Sequence, residues 1–201
     1  MLKEFFASQL KRPSGPLGIL ASKLMLKKNQ KNYDTMVKNL NVQPQDKILE
    51  IGYGPGAGIK MIAESCPTCT IDGIDFSNLM HKRATKYNKK YVEEGRVSLS
   101  YGDFQQVQLP HDKYDKVFCL NVIYFWNELS TPFGRVFSLL KENGSFHIYM
   151  AGKSFLTERK FPDSVFNKYS IGEVTDMMKK VGFRTVEHIK DNGHFGTGKV
   201  L

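Results

Sequence analysis

The chain has 201 residues, a length that suits one domain built around a single hydrophobic core. Hydrophobic residues make up 41% and aromatic residues 12%, ordinary values for a globular fold, and no apolar run approaches the roughly 18 residues that span a bilayer. The composition therefore argues against an integral membrane segment, and the formal charge of +9 indicates an acidic partner only if the basic residues converge on one face.

Helical periodicity comes first along the chain, in roughly residues 2–10, 17–28 and 30–40. These patterns precede any strand, so we expect residues 1–43 to form a helical leader and residues 44–201 to form the main domain. Met1 to Leu10 lacks the apolar core and the small-residue cleavage site of a secretory signal, and a cytoplasmic protein is expected.

Strand and helix patterns then alternate. Strands are predicted at residues 47–51, 70–75, 96–101, 114–121 and 145–150, and helices at 57–65, 78–93 with Ser77 as N-cap, 131–141 and 171–181. Asn143-Gly144 predicts a turn before the fifth strand, and Asp191-Asn192-Gly193 predicts a turn between closing strands at 183–190 and 195–201. The order predicts an α/β fold with a doubly wound, mostly parallel seven-stranded sheet and an antiparallel last pair.

The cysteines give little support for a metal site. Cys66 and Cys69 have the spacing of a zinc or redox pair, but no second pair exists, and Cys119 lies in a predicted buried strand. We therefore expect reduced thiols and no metal.

The first strand runs into a glycine-rich turn, Glu50-Ile51-Gly52-Tyr53-Gly54-Pro55-Gly56-Ala57-Gly58. Glycines allow positive φ angles and close approach of a ligand to the backbone, at the edge of the sheet where open α/β folds bind ligands. Gly52, Gly54 and Ala57 also fit the dinucleotide spacing G-x-G-x-x-G/A, and Asp75 follows at about the expected distance. A nicotinamide-dependent oxidoreductase is therefore an alternative.

Three features count against a dinucleotide. Glu50 places a carboxylate beside the turn, where a pyrophosphate would be repelled but a sulfonium or ammonium group would be favoured. Asp103 ends the third strand and offers an acceptor for an adenine amino group on the same edge of the sheet. Few residues then remain to build a dehydrogenase substrate domain.

At these residues the chain resembles the class I S-adenosylmethionine-dependent methyltransferases. Glu50 to Gly56 is similar to the family's E-x-G-x-G-x-G motif, and Leu140 to Ser145 resembles its L-K-P-G-G turn, with Glu142 and Asn143 in place of Pro-Gly. The resemblance implies S-adenosylmethionine as cofactor and a cofactor site formed by Glu50, Gly52, Tyr53, Gly54, Gly56, Asp75, Phe76, Asp103, Phe104 and Asn121.

The methyl acceptor is harder to predict because transfer needs mainly positioning. Asn121-Val122-Ile123-Tyr124 lacks the D/N-P-P-Y/F motif that amino-group methyltransferases of DNA bases and protein glutamine share, and Phe125 and Trp126 follow it. We therefore expect a small, apolar or aromatic acceptor in a pocket formed by Tyr124, Trp126 and Tyr149. If a base is needed, the candidates are His111, His147, His194, Tyr33, Tyr124 and Tyr149.

Three alternatives stay open beside the oxidoreductase. RNA as the acceptor is motivated by the net charge, although each basic group also fits the solvated side of its own helix. A protein that senses the cofactor without turnover is another. The leader resembles a lid over the cofactor, but its apolar stripe, ending at Lys27 and Lys28, equally fits a packed helix or contact with a membrane surface.

Overall fold

A computed structural model describes residues 2–190 and 194–199, so the predicted turn at 191–193 lies outside the described residues. Two helices come first, α1 (Leu2–Lys11) and α2 (Gly15–Leu40). The remaining elements are β1 (Lys47–Ile51), α3 (Ala57–Ser65), β2 (Thr70–Asp75), α4 (Asn78–Tyr87), α5 (Lys89–Glu93), β3 (Val97–Tyr101), β4 (Tyr114–Leu120), α6 (Ser130–Leu139), β5 (Leu140–Met150), α7 (Lys153–Glu158), α8 (Ile171–Val181), β6 (Thr185–Lys190) and β7 (His194–Lys199).

The strands form one sheet in the order β3-β2-β1-β4-β5-β7-β6. Strands β1 to β5 are parallel to one another. Strand β7 pairs antiparallel with both β5 and β6. The predicted doubly wound parallel core is confirmed. Because the chain order reverses between β1 and β4, the carboxyl ends of these two strands flank the crevice where such folds bind ligands.

The leader differs from its prediction, because α2 continues through Asn29 as one helix of 26 residues. The predicted break there is wrong. Residues 27–32 are polar and interrupt the apolar stripe, but lysine, glutamine and asparagine still permit a helix, so the periodicity is lost without a change in the backbone. Tyr33, Met36 and Leu40 are buried and anchor the carboxyl-terminal half of α2.

The helix predicted at residues 78–93 is instead two helices that meet at Asn88. This side chain is buried, and its amide donates hydrogen bonds of 3.0 Å to the carbonyl oxygens of Ala84 and Gly56. Asn88 therefore ends α4 and at the same time ties it to the glycine-rich turn. The first bond could be expected of an asparagine near a helix end, but the second depends on the tertiary fold.

Two further predictions were wrong in detail. Cys66 and Cys69 form a disulfide, so the expectation of a reduced thiol is met only at Cys119, which is free and buried. The predicted turn at Asn143-Gly144 lies within the span of β5 and not before it, at an irregularity where the pairing shifts from Leu140 with Tyr114 to Ser145 with Lys116. Asn143 has the positive φ, 62°, that such an irregularity needs.

Apolar side chains cover both faces of the sheet. On one face Phe133, Phe146 and Phe183 pack with α6 and α8, and on the other Ile48, Ile59 and Ile71 pack with α2 and α3. The carboxyl edge of the sheet lies between these two cores. Within residues 2–190 and 194–199, no helix combines the length and the apolar character that crossing a bilayer requires.

Candidate functional site at the carboxyl edge of the sheet

A cavity of about 990 Å³ opens at the carboxyl ends of β1, β2 and β4. The glycine-rich turn forms one side, and α1 and α2 lie across it from the other. Of the thirteen residues predicted for the site, ten line this cavity: Gly52, Gly54, Asp75, Phe76, Asp103, Phe104, Asn121, Tyr124, Trp126 and Tyr149. The strand ends bring these residues together from positions up to about 100 apart in the chain.

The glycine-rich turn presents bare backbone to the cavity. Gly54 has φ +52°, and a Cβ atom built there would have no heavy atom within 4 Å, so this position faces open space. The Gly54 amide donates a hydrogen bond of 2.8 Å to Asp75 Oδ2. The turn is therefore fixed by the neighbouring strand while its surface stays free for a ligand.

Asp75 ends β2 beside this turn and is only 7% exposed. Its Oδ1 accepts a hydrogen bond from the amide of Ser77, and its Oδ2 accepts the bond from Gly54, both at 2.8 Å. Burial raises the pKa of Asp75 to about 6, and these two bonds oppose that rise. At neutral pH the group is mainly ionised, which suits it to accept hydrogen bonds from ligand hydroxyls.

Glu50 lies in a different position from the one predicted. Its side chain is fully buried beneath the turn, outside the cavity lining, and Oε1 accepts a hydrogen bond of 3.0 Å from the hydroxyl of Tyr33. Burial raises the pKa of Glu50 to about 8. Tyr33 lines the cavity, so Glu50 is linked to the cavity through Tyr33, and at neutral pH Glu50 is mostly uncharged.

Tyr53 and Gly56, which were also predicted to bind the cofactor, lie outside the cavity lining. The Tyr53 hydroxyl donates to the carbonyl of Ser100 and lies 3.0 Å from His81 Nδ1, so the ring points under the sheet edge. Gly56 packs against α4, where an added Cβ would lie 2.5 Å from Asn88 Nδ2. Both residues support the turn from the side away from the cavity, while Gly52 and Gly54 form the side that lines it.

The exposed end of the cavity carries Asp103, which follows β3. Its Oδ1 accepts a hydrogen bond of 2.9 Å from the amide of Gln105, and the side chain is otherwise exposed. Phe104 is buried beside it, with its ring centre 6.1 Å from that of Trp126. The predicted acid and aromatic side chains are therefore adjacent, on the edge that also carries Asp75.

Helix α2 contributes a polar cluster that the sequence did not reveal as part of the site. Asn121 donates to Asn29 Oδ1 at 3.5 Å, and the hydroxyl of Tyr149 donates to Asn32 Oδ1 at 3.0 Å. The hydroxyl of Tyr124 donates to Asn121 Oδ1 at 3.0 Å. The available signal was the polar interruption of the apolar stripe at residues 27–32, which marks where the helix faces polar partners.

Aromatic side chains form the other end of the cavity, which we call the apolar chamber. The rings of Phe125 and Phe166 lie 5.2 Å apart, and those of Phe161 and Phe166 lie 4.9 Å apart. The chamber is formed by Phe6, Leu10, Phe125, Phe155, Phe161 and Phe166. One cavity thus joins a polar end at the glycine-rich turn to an apolar end beneath α1.

The six candidate bases differ in whether they line the cavity. Tyr33, Tyr124 and Tyr149 line the cavity, whereas His111 and His147 do not, and the side chain of His194 is outside the described residues. Burial raises the pKa of Tyr33 and of Tyr124, so both stay protonated at neutral pH. Their hydroxyls donate to Glu50 and to Asn121, and both are poorly suited to remove a proton from a ligand.

Among the described residues, no group of three or more His, Cys, Asp or Glu side chains is arranged to hold a metal ion. Both cysteines of the predicted pair are joined to each other.

Comparison with known proteins gives consistent results. Residues 48–144 match the sequence profile described as a methyltransferase domain. The chain is 23% identical over 165 residues to sterol 24-C-methyltransferase erg-4 of Neurospora crassa, covering 76% of this chain and 43% of that protein. It is 29% identical over 132 residues to the uncharacterized methyltransferase YdaC of Bacillus subtilis, covering 66% of this chain and 71% of YdaC.

Solved structures share the fold. Phosphoethanolamine N-methyltransferase 2 of Haemonchus contortus, in complex with S-adenosyl-L-methionine, superimposes with a TM-score of 0.77 at 17% identity, covering 97% of this chain and 60% of that one. The chain spans less than half the length of the sterol methyltransferases it matches, 43% and 42% for the first two.

Proposed function

We propose that this chain is a class I methyltransferase that binds S-adenosylmethionine and transfers its methyl group to a small, largely apolar acceptor. Residues 48–144 match a methyltransferase-domain profile, which supports the proposal. One observation carries the proposal. A single cavity runs from the bare glycine-rich turn and Asp75 to the apolar chamber, so a polar methyl donor and an apolar acceptor can meet inside it.

The polar end fits the cofactor. Gly54 leaves open space where any side chain would project, and Asp75 lies beside it with an ionised carboxylate. We assign Asp75 to the ribose hydroxyls and Asp103 to the adenine amino group, since an ionised carboxylate accepts strong hydrogen bonds. When bound, S-adenosylmethionine supplies a methyl group on a sulfonium centre.

The residues of the chain would act mainly by positioning. Tyr33 and Tyr124 remain protonated and donate their hydroxyl protons to Glu50 and Asn121, so they present fixed hydroxyl oxygens and ring surfaces to a ligand. Asn121 in turn links Tyr124 to Asn29 of α2. Holding two reactants in a near-attack arrangement can supply about 7–11 kcal/mol of a barrier. Transfer by proximity and orientation therefore needs no side-chain base.

The acceptor end suggests the class of substrate. Phe125, Phe161 and Phe166 provide ring surfaces but no charge, which favours an apolar or aromatic acceptor over a polar one. The relatives of the chain include a sterol 24-C-methyltransferase, and an apolar acceptor such as a sterol agrees with this inference. Residues 1–43 would act as a cover, because α1 and α2 close the cavity on the side away from the sheet.

Titration calorimetry with S-adenosylhomocysteine tests the proposal. The wild-type chain should bind, and Asp75→Ala should weaken binding at least tenfold, since a hydrogen bond to a charged group contributes about 1.5–3 kcal/mol. Asp176→Ala, at an exposed site on α8, is the control and should bind like the wild type. Transfer of a labelled methyl group to apolar acceptors then tests turnover. A folded wild-type chain that does not bind S-adenosylhomocysteine would refute the proposal.

A further inference from the structure

Apolar side chains are concentrated on the surface around the mouth of the cavity. Eleven large hydrophobic residues of the described part of the chain are exposed, and six of them form what we call the amino-terminal face: Phe5, Phe6 and Leu10 of α1 with Leu17, Leu20 and Leu24 of α2. Their exposed fractions run from 41% to 55%. Ile19, exposed by 39%, lies on the same helix as the last three. Exposed apolar side chains gathered on two helices that contact each other can mark an interaction site.

The same segment carries most of the net positive charge of the chain. Residues 5–33 contain six basic side chains, Lys11, Arg12, Lys23, Lys27, Lys28 and Lys31, and not one acid. The whole chain has a net charge of +9, so this stretch accounts for two thirds of it. Lys23, Lys27 and Lys31 are exposed. Spaced four residues apart, these lysines lie along one side of α2, next to Leu20 and Leu24.

We propose that the amino-terminal face docks on an anionic lipid bilayer and that the cavity then opens towards the lipid phase. A helical surface with exposed aromatic and leucine side chains, flanked by lysines, is suited to lie in the headgroup region. Its apolar groups leave water, and its lysines are attracted to acidic headgroups by about 1 kcal/mol each.

Other partners fit this surface less well. A second copy of the chain would bring the same positive face against itself, which like charges disfavour. RNA would satisfy the lysines but would leave the exposed phenylalanine and leucine side chains without an apolar partner. A bilayer with acidic lipids accommodates both kinds of group at once.

The amino-terminal face adjoins the cavity, so docking would bring the cavity next to the bilayer. Five of its six residues, all except Phe5, also line the cavity, so the surface continues into the apolar chamber. An apolar acceptor dissolved in the bilayer could pass into the chamber without crossing water. This last step rests on the proposed function, whereas docking itself does not.

Vesicle co-sedimentation of the full chain without cofactor tests the docking. Vesicles with about a third phosphatidylserine should bind the protein at least tenfold more tightly than vesicles of phosphatidylcholine alone. Replacing Lys23, Lys27 and Lys31 by glutamine should weaken binding to acidic vesicles by a factor on the order of 100. The matched control replaces Lys82, Lys86 and Lys179, also exposed, and should stay within about twofold of the wild type.

A second pair of variants tests the apolar contribution. Phe5→Ser with Ile19→Ser changes exposed side chains that do not line the cavity, and it should reduce vesicle binding at least tenfold. Tyr87→Ser with Ile189→Ser removes exposed apolar groups elsewhere and should have little effect. Both double variants should keep the wild-type affinity for S-adenosylhomocysteine, so a failure of docking and a failure of cofactor binding are separate results.

Three results would overturn the inference. The first is vesicle binding that is absent or equally lost in the control variants. The second is a stable dimer in analytical ultracentrifugation that the Phe5 and Ile19 changes dissociate. The third is tight binding of a mixed-sequence RNA through Lys23, Lys27 and Lys31 with no affinity for acidic vesicles.

Discussion

Glu50 should make the stability of the ligand-free protein depend on pH, and Glu50→Gln should remove that dependence. Burial raises the pKa of Glu50 from 4.5 to about 8. Below about pH 4.5 both the folded and the unfolded chain hold the proton, so the folded state has the full benefit of a neutral carboxyl group. As the pH rises towards 8 only the folded state keeps it, so stability falls with rising pH.

The size of the effect follows from the two pKa values. Each unit of difference corresponds to 1.36 kcal/mol, and between about pH 6 and about pH 8 the loss amounts to about 2 kcal/mol. Asp75 contributes in a lower window because burial raises its pKa only to about 6. The upper window therefore reports mainly on Glu50, and the comparison with Glu50→Gln removes the contribution of other groups.

Urea unfolding at a series of pH values measures this directly, with fluorescence of the single tryptophan, the buried Trp126, as the signal. The difference in free energy of unfolding between wild type and Glu50→Gln should shift by about 2 kcal/mol in favour of the variant between the two pH values. Glu187→Gln, at an exposed site on β6, is the control and should follow the wild type. Parallel profiles for wild type and Glu50→Gln would show that the carboxyl group is already ionised in the fold.

Three further predictions concern ligands. Gly54→Val should abolish S-adenosylhomocysteine binding in calorimetry because it fills the open space of the turn, whereas Gly95→Val, at a similarly positive φ of 72° and also in open space, should lose stability but keep binding. Wild-type affinity for S-adenosylhomocysteine should fall as the pH drops below about 6, because protonated Asp75 accepts hydrogen bonds poorly, and a flat profile would contradict this role. Phe125→Leu should raise the KM for an apolar acceptor severalfold with cofactor affinity unchanged, and equal losses of both would show that the two ends of the cavity are not separate.

The parallel core was predictable from sequence because each of its signals is local. The strand at Lys47–Ile51 and the helix at Ala57–Ser65 have uninterrupted periodicity, and the glycines between them require a turn. Since parallel strands present their carboxyl ends at one edge, the order of the elements was enough to place Asp75 and Asp103 near the turn. Both line the cavity.

The features that sequence reasoning missed depend on contacts between distant residues. A motif letter does not show which side of a turn a side chain occupies, so the sequence did not reveal that Tyr53 and Glu50 are buried behind the cavity. The link from Asn29 to Asn121 spans 92 residues, and no local pattern encodes it. Asn88, which holds the turn through Gly56, is a similar case.

The continuity of α2 limits how the cavity can open. At 1.5 Å per residue its 26 residues extend about 39 Å, with Tyr33, Met36 and Leu40 buried in one half and Gly18 and Ser22 buried in the other. Without a joint at Asn29, the amino-terminal half cannot swing alone, and any large displacement would pull on the bond from Tyr33 to Glu50. We expect access for an acceptor to depend instead on α1, which joins α2 through Arg12 to Ser14, and substitutions there should alter the rate of ligand exchange before they alter affinity.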